Sequence, residues 1–368
     1  MVLFQLIAGL IILVVGAEIL VKGASEIAAI LGITPLVIGL TVVAFGTSAP
    51  ELAVSVVSAL HGNPDIALGN VVGSNIFNIL FVLGVSSMIV PMIVQQQLIR
   101  VDVPVMILAS LLVLLFGIDG KISPVEGIIL VVMGVVYLFL MVRLSRKEAN
   151  VEVLEEYREE YSPGKKPVKG EIWFSGLLII AGLISLVIGS RWLVDSSTEI
   201  ARIFGVGDLV IGLTIIAAGT SLPEVATSVV AALRGERDIA VGNAVGSNIF
   251  NILFILGIAA TIGTGLEISP RAYKFDVPVM IAVAVSCLPI FFTGRKLDRW
   301  EGILFLFYYF AYTTYLVLAA QENDTLEIFT KAMMWFTIPI TVLTLGVVTF
   351  RELRKNNWRL GGDGKKGW

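Results

Sequence analysis

Long apolar runs alternate with short polar connections along most of the chain. A helix needs about 20 apolar residues to cross a bilayer. Eleven runs approach or exceed that length. We therefore predict membrane-spanning helices near residues 2–21, 35–60, 65–90, 103–118, 124–144, 173–194, 208–233, 238–263, 277–293, 300–319 and 328–350.

The composition agrees with an all-α integral membrane protein. Hydrophobic residues make up 57% of the 368 positions, charged residues make up 15%, and the mean hydropathy is +0.91. Soluble domains carry about a quarter charged residues. The charged residues here cluster between the apolar runs, whereas the strands of a membrane β-barrel alternate apolar and polar positions. The chain is therefore expected to be surrounded by lipid bilayer and to cross it as helices.

Charge and reactive side chains exclude several classes of function. A net charge of −3 argues against nucleic acid as a partner. The single cysteine, Cys287, and the single histidine, His61, allow no internal disulfide and no cluster for zinc or haem, so no cofactor is expected. The chain contains neither an HExxH nor a GxSxG motif, and we do not expect an enzyme.

The two halves of the chain are copies of each other. A shift of 173 residues aligns 31–84 with 204–257 without a gap, and 37 of the 54 positions are identical. Each half holds five predicted spans, and an odd number of crossings places the second copy upside down relative to the first. This is the inverted-repeat plan of secondary transporters. The sequence thus predicts a ten-helix 5+5 transporter fold with an additional eleventh helix at the C-terminus.

The polar stretches divide the chain and orient it. Basic residues favour the cytoplasmic side of the plasma membrane, and the tail after Phe350 carries six Lys or Arg against two acids. We therefore expect the C-terminus in the cytoplasm and, with eleven spans, the N-terminus outside. The predicted parts are a first five-helix repeat (1–144), a cytoplasmic connector (145–171), a second, inverted repeat (172–320), an extra transmembrane helix (321–350) and a basic cytoplasmic tail (351–368).

Each half places a proline and a carboxylate inside an apolar run, as "GTSAPE" at 46–51 and "GTSLPE" at 219–224. Pro50 has no N–H and clashes with the carbonyl four residues earlier, at Gly46. We expect this clash to release the backbone carbonyls around Ala44 to Thr47 from the helix. Irregular backbone at membrane depth survives only inside protein or along a polar cavity. The motif therefore predicts a polar site within the membrane.

The next run of each half adds "GSNIFN", which spaces a serine and an asparagine by i, i+4 on one helix face. Asn75 and Asn248 point elsewhere and are expected to join helix to helix. The two halves together supply oxygen donors and two carboxylates, a set that suits Ca²⁺ or Na⁺ and fits zinc or copper poorly. The candidate ligands are Ala44, Thr47, Ser48, Glu51, Ser74, Asn78, Ala217, Thr220, Ser221, Glu224, Ser247 and Asn251.

The paired GTSxPE and GSNIFN motifs resemble the alpha repeats of sodium/calcium exchangers, in the cation/calcium exchanger superfamily, and especially those of short prokaryotic members. The resemblance covers residues 1–320. It implies that the second, third, seventh and eighth helices form a core around four adjacent cation sites. It places the ligands on the same twelve residues, with Ala44 and Ala217 contributing carbonyls. It also implies that the first and sixth helices slide across this core to switch access.

Three transport functions fit these residues. The first is an antiporter that exchanges Na⁺ for Ca²⁺; Asn251 stands where the potassium-dependent branch carries Asp, which favours K⁺ independence. The second is a proton/calcium antiporter with the glutamates as proton carriers, although proton-coupled relatives typically show Gly-Asn-x-x-Glu in place of this motif. The third is a passive cation channel. The sequence does not identify protein partners, and it is consistent with a monomer or a dimer.

Overall fold

The computed structural model describes residues 2–148, 169–204, 215, 217–262, 264–321, 323 and 325–362. Nearly all of them are helical. Nine of the described helices are long and apolar enough to cross a membrane, and a bent pair makes a tenth. The helices are α1 (Val2–Leu31), α2 (Pro35–Thr47), α3 (Ala49–Leu60), α4 (Pro64–Ile89), α5 (Leu98–Asp119), α6 (Pro124–Glu148), α7 (Lys169–Ile203), α8 (Leu222–Leu233), α9 (Arg237–Ala260), α10 (Ala272–Phe292), α11 (Arg299–Ala320) and α12 (Thr325–Phe350).

The all-α membrane fold is confirmed, and most predicted spans coincide with a helix. Two predicted ends are wrong, because α1 continues to Leu31 and α7 to Ile203. The extension of α1 includes Glu26, which α7 satisfies: the Ser175 hydroxyl donates to Glu26 Oε2 at 2.6 Å. The predicted connector at 145–171 lies largely outside the described residues, as do 208–214 and 216 of the seventh predicted span.

Four two-residue strands lie in connections between the helices and were not predicted. They are β1 (Met92–Ile93), β2 (Lys121–Ile122), β3 (Leu266–Glu267) and β4 (Lys296–Leu297). β1 pairs antiparallel with β4, and β2 pairs antiparallel with β3. In the repeat, β3 corresponds to β1 and β4 to β2. Each strand therefore pairs with the non-equivalent strand of the other half, which is the reciprocal pattern that a two-fold relation produces.

The strand pairs also constrain how often the chain crosses the membrane. β1 follows α4 and β4 follows α10, and their pairing places both connections on the same side. The number of crossings between them must be even. The described spans α5, α6, α7, α9 and α10 supply five. We expect the sixth in the predicted span at 208–233, which ends with α8 and lies partly outside the described residues.

Helices α1 and α7 pack so closely that their backbones are in contact. A Cβ on Gly182 would lie 2.7 Å from the Leu20 nitrogen and 2.8 Å from the Gly16 carbonyl oxygen. A Cβ on Gly189 would lie 2.6 Å from the Leu13 nitrogen. Small residues at such positions let membrane helices approach closely. The α1–α7 pair consequently forms one unit beside the rest of the bundle.

Helices α4 and α9 form the centre of the molecule. Within their most apolar windows, 72% of α4 and 94% of α9 is buried inside the protein, compared with 22% for α1. Both helices carry the GSNIFN motif, and each packs against the broken helix of the GTSxPE motif of its half. The candidate site residues therefore converge on the most deeply buried part of the fold.

Candidate cation-binding site

The helix breaks at each GTSxPE motif, and the break sets the direction of the glutamate. Helices α2 and α3 meet at 46°. The residue at the break is Ser48 in the first half (φ −80, ψ 8) and Ser221 in the second (φ −93, ψ 10). Pro50 lies in the first turn of α3, where its missing N–H costs nothing. Glu51 is in the same turn, where the helix dipole favours a negative charge.

The break falls later than the sequence suggested. The Ala44 carbonyl oxygen accepts from the Ser48 N–H at 3.1 Å and lies 3.4 Å from the Thr47 hydroxyl oxygen. The predicted release of carbonyls between Ala44 and Thr47 is therefore wrong for Ala44, whose carbonyl keeps its helical bond. In the second half the Ser221 N–H donates to the Ala218 carbonyl at 3.2 Å. The two breaks thus differ in their backbone bonds.

The serines at the breaks bring the two carboxylates together. The Ser48 hydroxyl donates to Glu224 Oε1 at 3.0 Å, and the Ser221 hydroxyl donates to Glu51 Oε1 at 2.8 Å. Each serine thus binds the glutamate of the opposite half. Ser74 Oγ lies 3.1 Å from Ser221 Oγ and 3.5 Å from Glu51 Oε1. The two carboxylates are fully buried and close enough to repel each other.

Asparagines join the two central helices, as predicted. The Asn75 side chain donates to the Asn248 carbonyl at 3.4 Å, and the Asn248 side chain donates to the Asn75 carbonyl at 3.0 Å. Asn251 Nδ2 donates to Asn75 Oδ1 at 3.0 Å. Asn78 and Asn251 each begin a π-helical turn within their helix. Such turns often occur at functional sites because they re-aim a side chain.

Several buried polar atoms of the candidate ligands make no hydrogen bond to the described residues. Nearly all buried polar groups in native proteins have a partner, so each exception needs a physical explanation. One of these atoms is a nitrogen, and six are oxygens. The atoms are Glu51 Oε2, Asn78 Oδ1, Asn78 Nδ2, Thr220 Oγ1, Glu224 Oε2, Ser247 Oγ and Asn251 Oδ1.

The two glutamates are the only charges that the described part of the chain brings to this cluster. No third Asp, Glu, His or Cys joins them there, and neither glutamate forms an ion pair with a described Lys or Arg. A buried charge without a partner is expensive. The cluster therefore brings together two carboxylates and several unpaired oxygens, which is the chemistry of a cation site.

Sequence reasoning missed two further asparagines, Asn70 and Asn243, one turn before the serines of the GSNIFN motifs. Asn70 Nδ2 donates to the Glu51 carbonyl at 3.1 Å and to Ser55 Oγ at 2.9 Å. Asn243 Nδ2 donates to the Glu224 carbonyl at 3.4 Å. The signal that could have found them is their i−4 spacing from the serines, repeated in both halves.

Comparison with protein families and known proteins identifies relatives of this chain. A family model described as "Sodium/calcium exchanger protein" matches residues 1–143 and 174–318. The chain is 40% identical over 280 residues to inner membrane protein YrbG of Escherichia coli (strain K12), which covers 76% of this chain and 85% of that protein. It is 32% identical over 341 residues to sodium/calcium exchanger MaX1 of Methanosarcina acetivorans, covering 84% of this chain and 97% of that protein.

Solved structures show the same architecture. A structure of the sodium-calcium exchanger NCX_Mj, soaked with 2.5 mM Na⁺ and 10 mM Sr²⁺, superimposes with a TM-score of 0.71 at 32% sequence identity. The superposition covers 84% of this chain and 98% of that one. Fold, buried carboxylate pair and family match lead to one assignment: the chain belongs to the sodium/calcium exchanger family.

Proposed function

We propose that the protein is an antiporter that exchanges Na⁺ for Ca²⁺ across the cell membrane and does not require K⁺. The observation that carries this proposal is the set of six unpaired, buried oxygens around the two glutamates. Ca²⁺ takes six to eight oxygen ligands, and carboxylate, hydroxyl and amide oxygens all serve. The names of MaX1 and NCX_Mj give the same exchange for relatives of this chain.

The charge of the site supports exchange over one-way release. Two carboxylates balance one Ca²⁺ or two Na⁺. An empty site would leave two charges at membrane depth, and even one such charge costs at least about 2.5–3.5 kcal/mol. This cost opposes a change of access by the empty site, so one cation must replace another. The proposed ligands are the twelve candidate residues, Ala44, Thr47, Ser48, Glu51, Ser74, Asn78 and their second-half equivalents Ala217, Thr220, Ser221, Glu224, Ser247 and Asn251.

The K⁺-independent part of the proposal depends on Asn251. Its amide is neutral, donates to Asn75 and leaves Oδ1 unpaired. An aspartate at this position would add a third negative charge to the site and could balance an additional monovalent cation. Without that charge the site has no electrostatic reason to take K⁺ together with Ca²⁺.

The test is Ca²⁺ uptake into proteoliposomes loaded with Na⁺, at equal pH on both sides. We expect uptake that stops when the Na⁺ gradient is removed and that is the same with or without K⁺. Uptake driven by a pH gradient alone, and absent under the Na⁺ gradient, would instead establish the proton/calcium antiporter. Ca²⁺ flux that needs no counter-ion would indicate a channel. Dependence on K⁺ would contradict the role given to Asn251.

A further inference from the structure

The hydrogen bonds of the site are not the same in the two halves. Because the halves are repeats, each hydrogen bond from one half to the other defines an equivalent bond between the corresponding residues, with the roles of the two halves exchanged. The Thr47 hydroxyl donates to Asn243 Oδ1 at 3.0 Å. The counterpart would join Thr220 to Asn70. The Thr220 hydroxyl is buried and makes no hydrogen bond to the described residues.

A second pair of equivalent bonds shows the same difference. Asn251 donates to Asn75 Oδ1, while the counterpart would join Asn78 to Asn248. That counterpart is absent, since neither Asn78 Nδ2 nor Asn248 Oδ1 has a partner among the described residues. The two bonds that are made join Thr47 to Asn243 and Asn251 to Asn75. The two that are not made would join the repeat-related residues, Thr220 to Asn70 and Asn78 to Asn248. The hydrogen bonds of the described residues therefore depart from the symmetry of the repeat in the same sense at both places.

Asn243 has the geometry to set this arrangement. Its Nδ2 donates to the Glu224 carbonyl and to Ser228 Oγ at 3.0 Å, so it holds the broken helix of its own half. Its Oδ1 holds Thr47 of the other half. Asn70 makes the first kind of contact, to Glu51 and Ser55, but its counterpart contact to Thr220 is not made.

We propose that Asn70 and Asn243 are positioning residues that hold the threonine of the opposite half alternately. With Asn243 bonded to Thr47, Thr220 is free to bind a cation. In the other arrangement Asn70 holds Thr220 and Thr47 is free. In an inverted repeat, exchanging the roles of the halves exchanges the two membrane faces. Each asparagine therefore stabilises access from one face, an inference that rests on the proposed exchange.

The test compares Asn243→Ala with Asn70→Ala in oriented membrane vesicles, right-side-out and inverted. The quantity measured is the half-saturating Ca²⁺ concentration for Na⁺-driven exchange at each face, and the ratio between faces. Each substitution removes one alternating hydrogen bond, so we expect the ratio to shift by about 2- to 10-fold. The shifts should have opposite signs for the two variants. The double variant should return the ratio towards that of the unsubstituted protein.

Two further variants separate positioning from folding. Asn243→Asp keeps an oxygen that accepts from Thr47 but loses both Nδ2 donations and adds a carboxylate, so it should lower exchange at both faces while leaving the ratio closer to normal than Asn243→Ala does. Asn63→Ala removes an exposed amide at the start of α4 and serves as the matched control. Equal changes at both faces, or shifts of the same sign, would overturn the inference. Absence of Na⁺-driven exchange in the unsubstituted protein would instead refute the proposed function.

Discussion

At the scale of residues, the chemistry of the site depends on which side chains bond across the repeat interface. Ser48 binds Glu224 and Ser221 binds Glu51, so neither carboxylate is held by the serine of its own motif. Each bond of a hydroxyl to a carboxylate is charge-assisted and fixes one oxygen. The second oxygen of each carboxylate stays unpaired. One oxygen thus positions the carboxylate while the other remains available to a cation.

Removing one of these charges should end Ca²⁺ transport. Glu51→Gln or Glu224→Gln leaves a single negative charge for a divalent ion. Loss of one partner from a buried ion pair, here the pair of Ca²⁺ and the carboxylate, costs about 3–5 kcal/mol. We expect Ca²⁺ affinity to fall by at least about 100-fold, with uptake at background level. Ca²⁺ binding to the detergent-purified variants measures this directly. Glu126→Gln is the control, because Glu126 bonds only to Ser123 at the start of α6. Exchange retained in either variant would rule out the carboxylate pair as the site.

The sequence was sufficient to predict that the two glutamates are buried together, but not their asparagine supports. A carboxylate in an apolar run has few explanations, and its repetition at matched positions favoured a cation ligand. An amide such as Asn70 or Asn243 is compatible with a ligand, a helix contact or a backbone clamp. The structure decides between these roles, because the Asn70 and Asn243 amides donate to the backbone carbonyls of Glu51 and Glu224.

At the scale of elements, α1 and α7 depend on glycine for their close contact. Their extra length, to Leu31 and Ile203, could not be read from hydropathy because Lys22 and Glu26 look like the end of a span. Burial of polar groups between two helices is a tertiary property. A hydropathy average is taken over one segment of the chain. It therefore places the end of a span at the first charged residues, even where a second helix buries them.

A larger residue in this contact should separate the two helices. In Gly182→Val the new side chain would begin 2.7 Å from the Leu20 nitrogen, and overpacking of this kind costs about 1–3 kcal/mol. We expect a lower midpoint of thermal unfolding in detergent and reduced exchange. Gly176→Val on the same helix is the matched control, since a Cβ there meets no described atom within 4 Å. Equal melting of the two variants would show that the contact is not tight.

At the scale of the whole molecule, α12 lies beside the helices of the two repeats. None of the most apolar window of α12 is buried. A cavity of about 320 Å³ lies between α12 and the helices α10 and α11. Aromatic and aliphatic side chains form most of its lining. The Tyr308 hydroxyl bonds Thr341 at 2.7 Å across this boundary. The family match ends at residue 318, before α12 begins.

Removal of α12 should therefore leave the transporter intact. A chain ending at Ala320 is expected to fold and to retain Na⁺-driven Ca²⁺ uptake, because it keeps the site and both strand pairs. Monodisperse elution in detergent and the uptake assay measure the two properties. A chain ending at Phe292 is the contrasting case, since it also loses β4 and α11 and should fail to fold. Loss of uptake in the longer truncation product would give α12 a part in transport.

The reciprocal strand pairs have a consequence for the origin of the chain. β1 with β4 and β2 with β3 mean that each half completes its connections only with the other half. The same is true of the crossed bonds between serine and glutamate. A five-helix protein of half this length could satisfy all of these contacts as a homodimer, provided that its two copies entered the membrane in opposite directions. Duplication and fusion of such a dual-topology gene would then fix the antiparallel pair within one polypeptide.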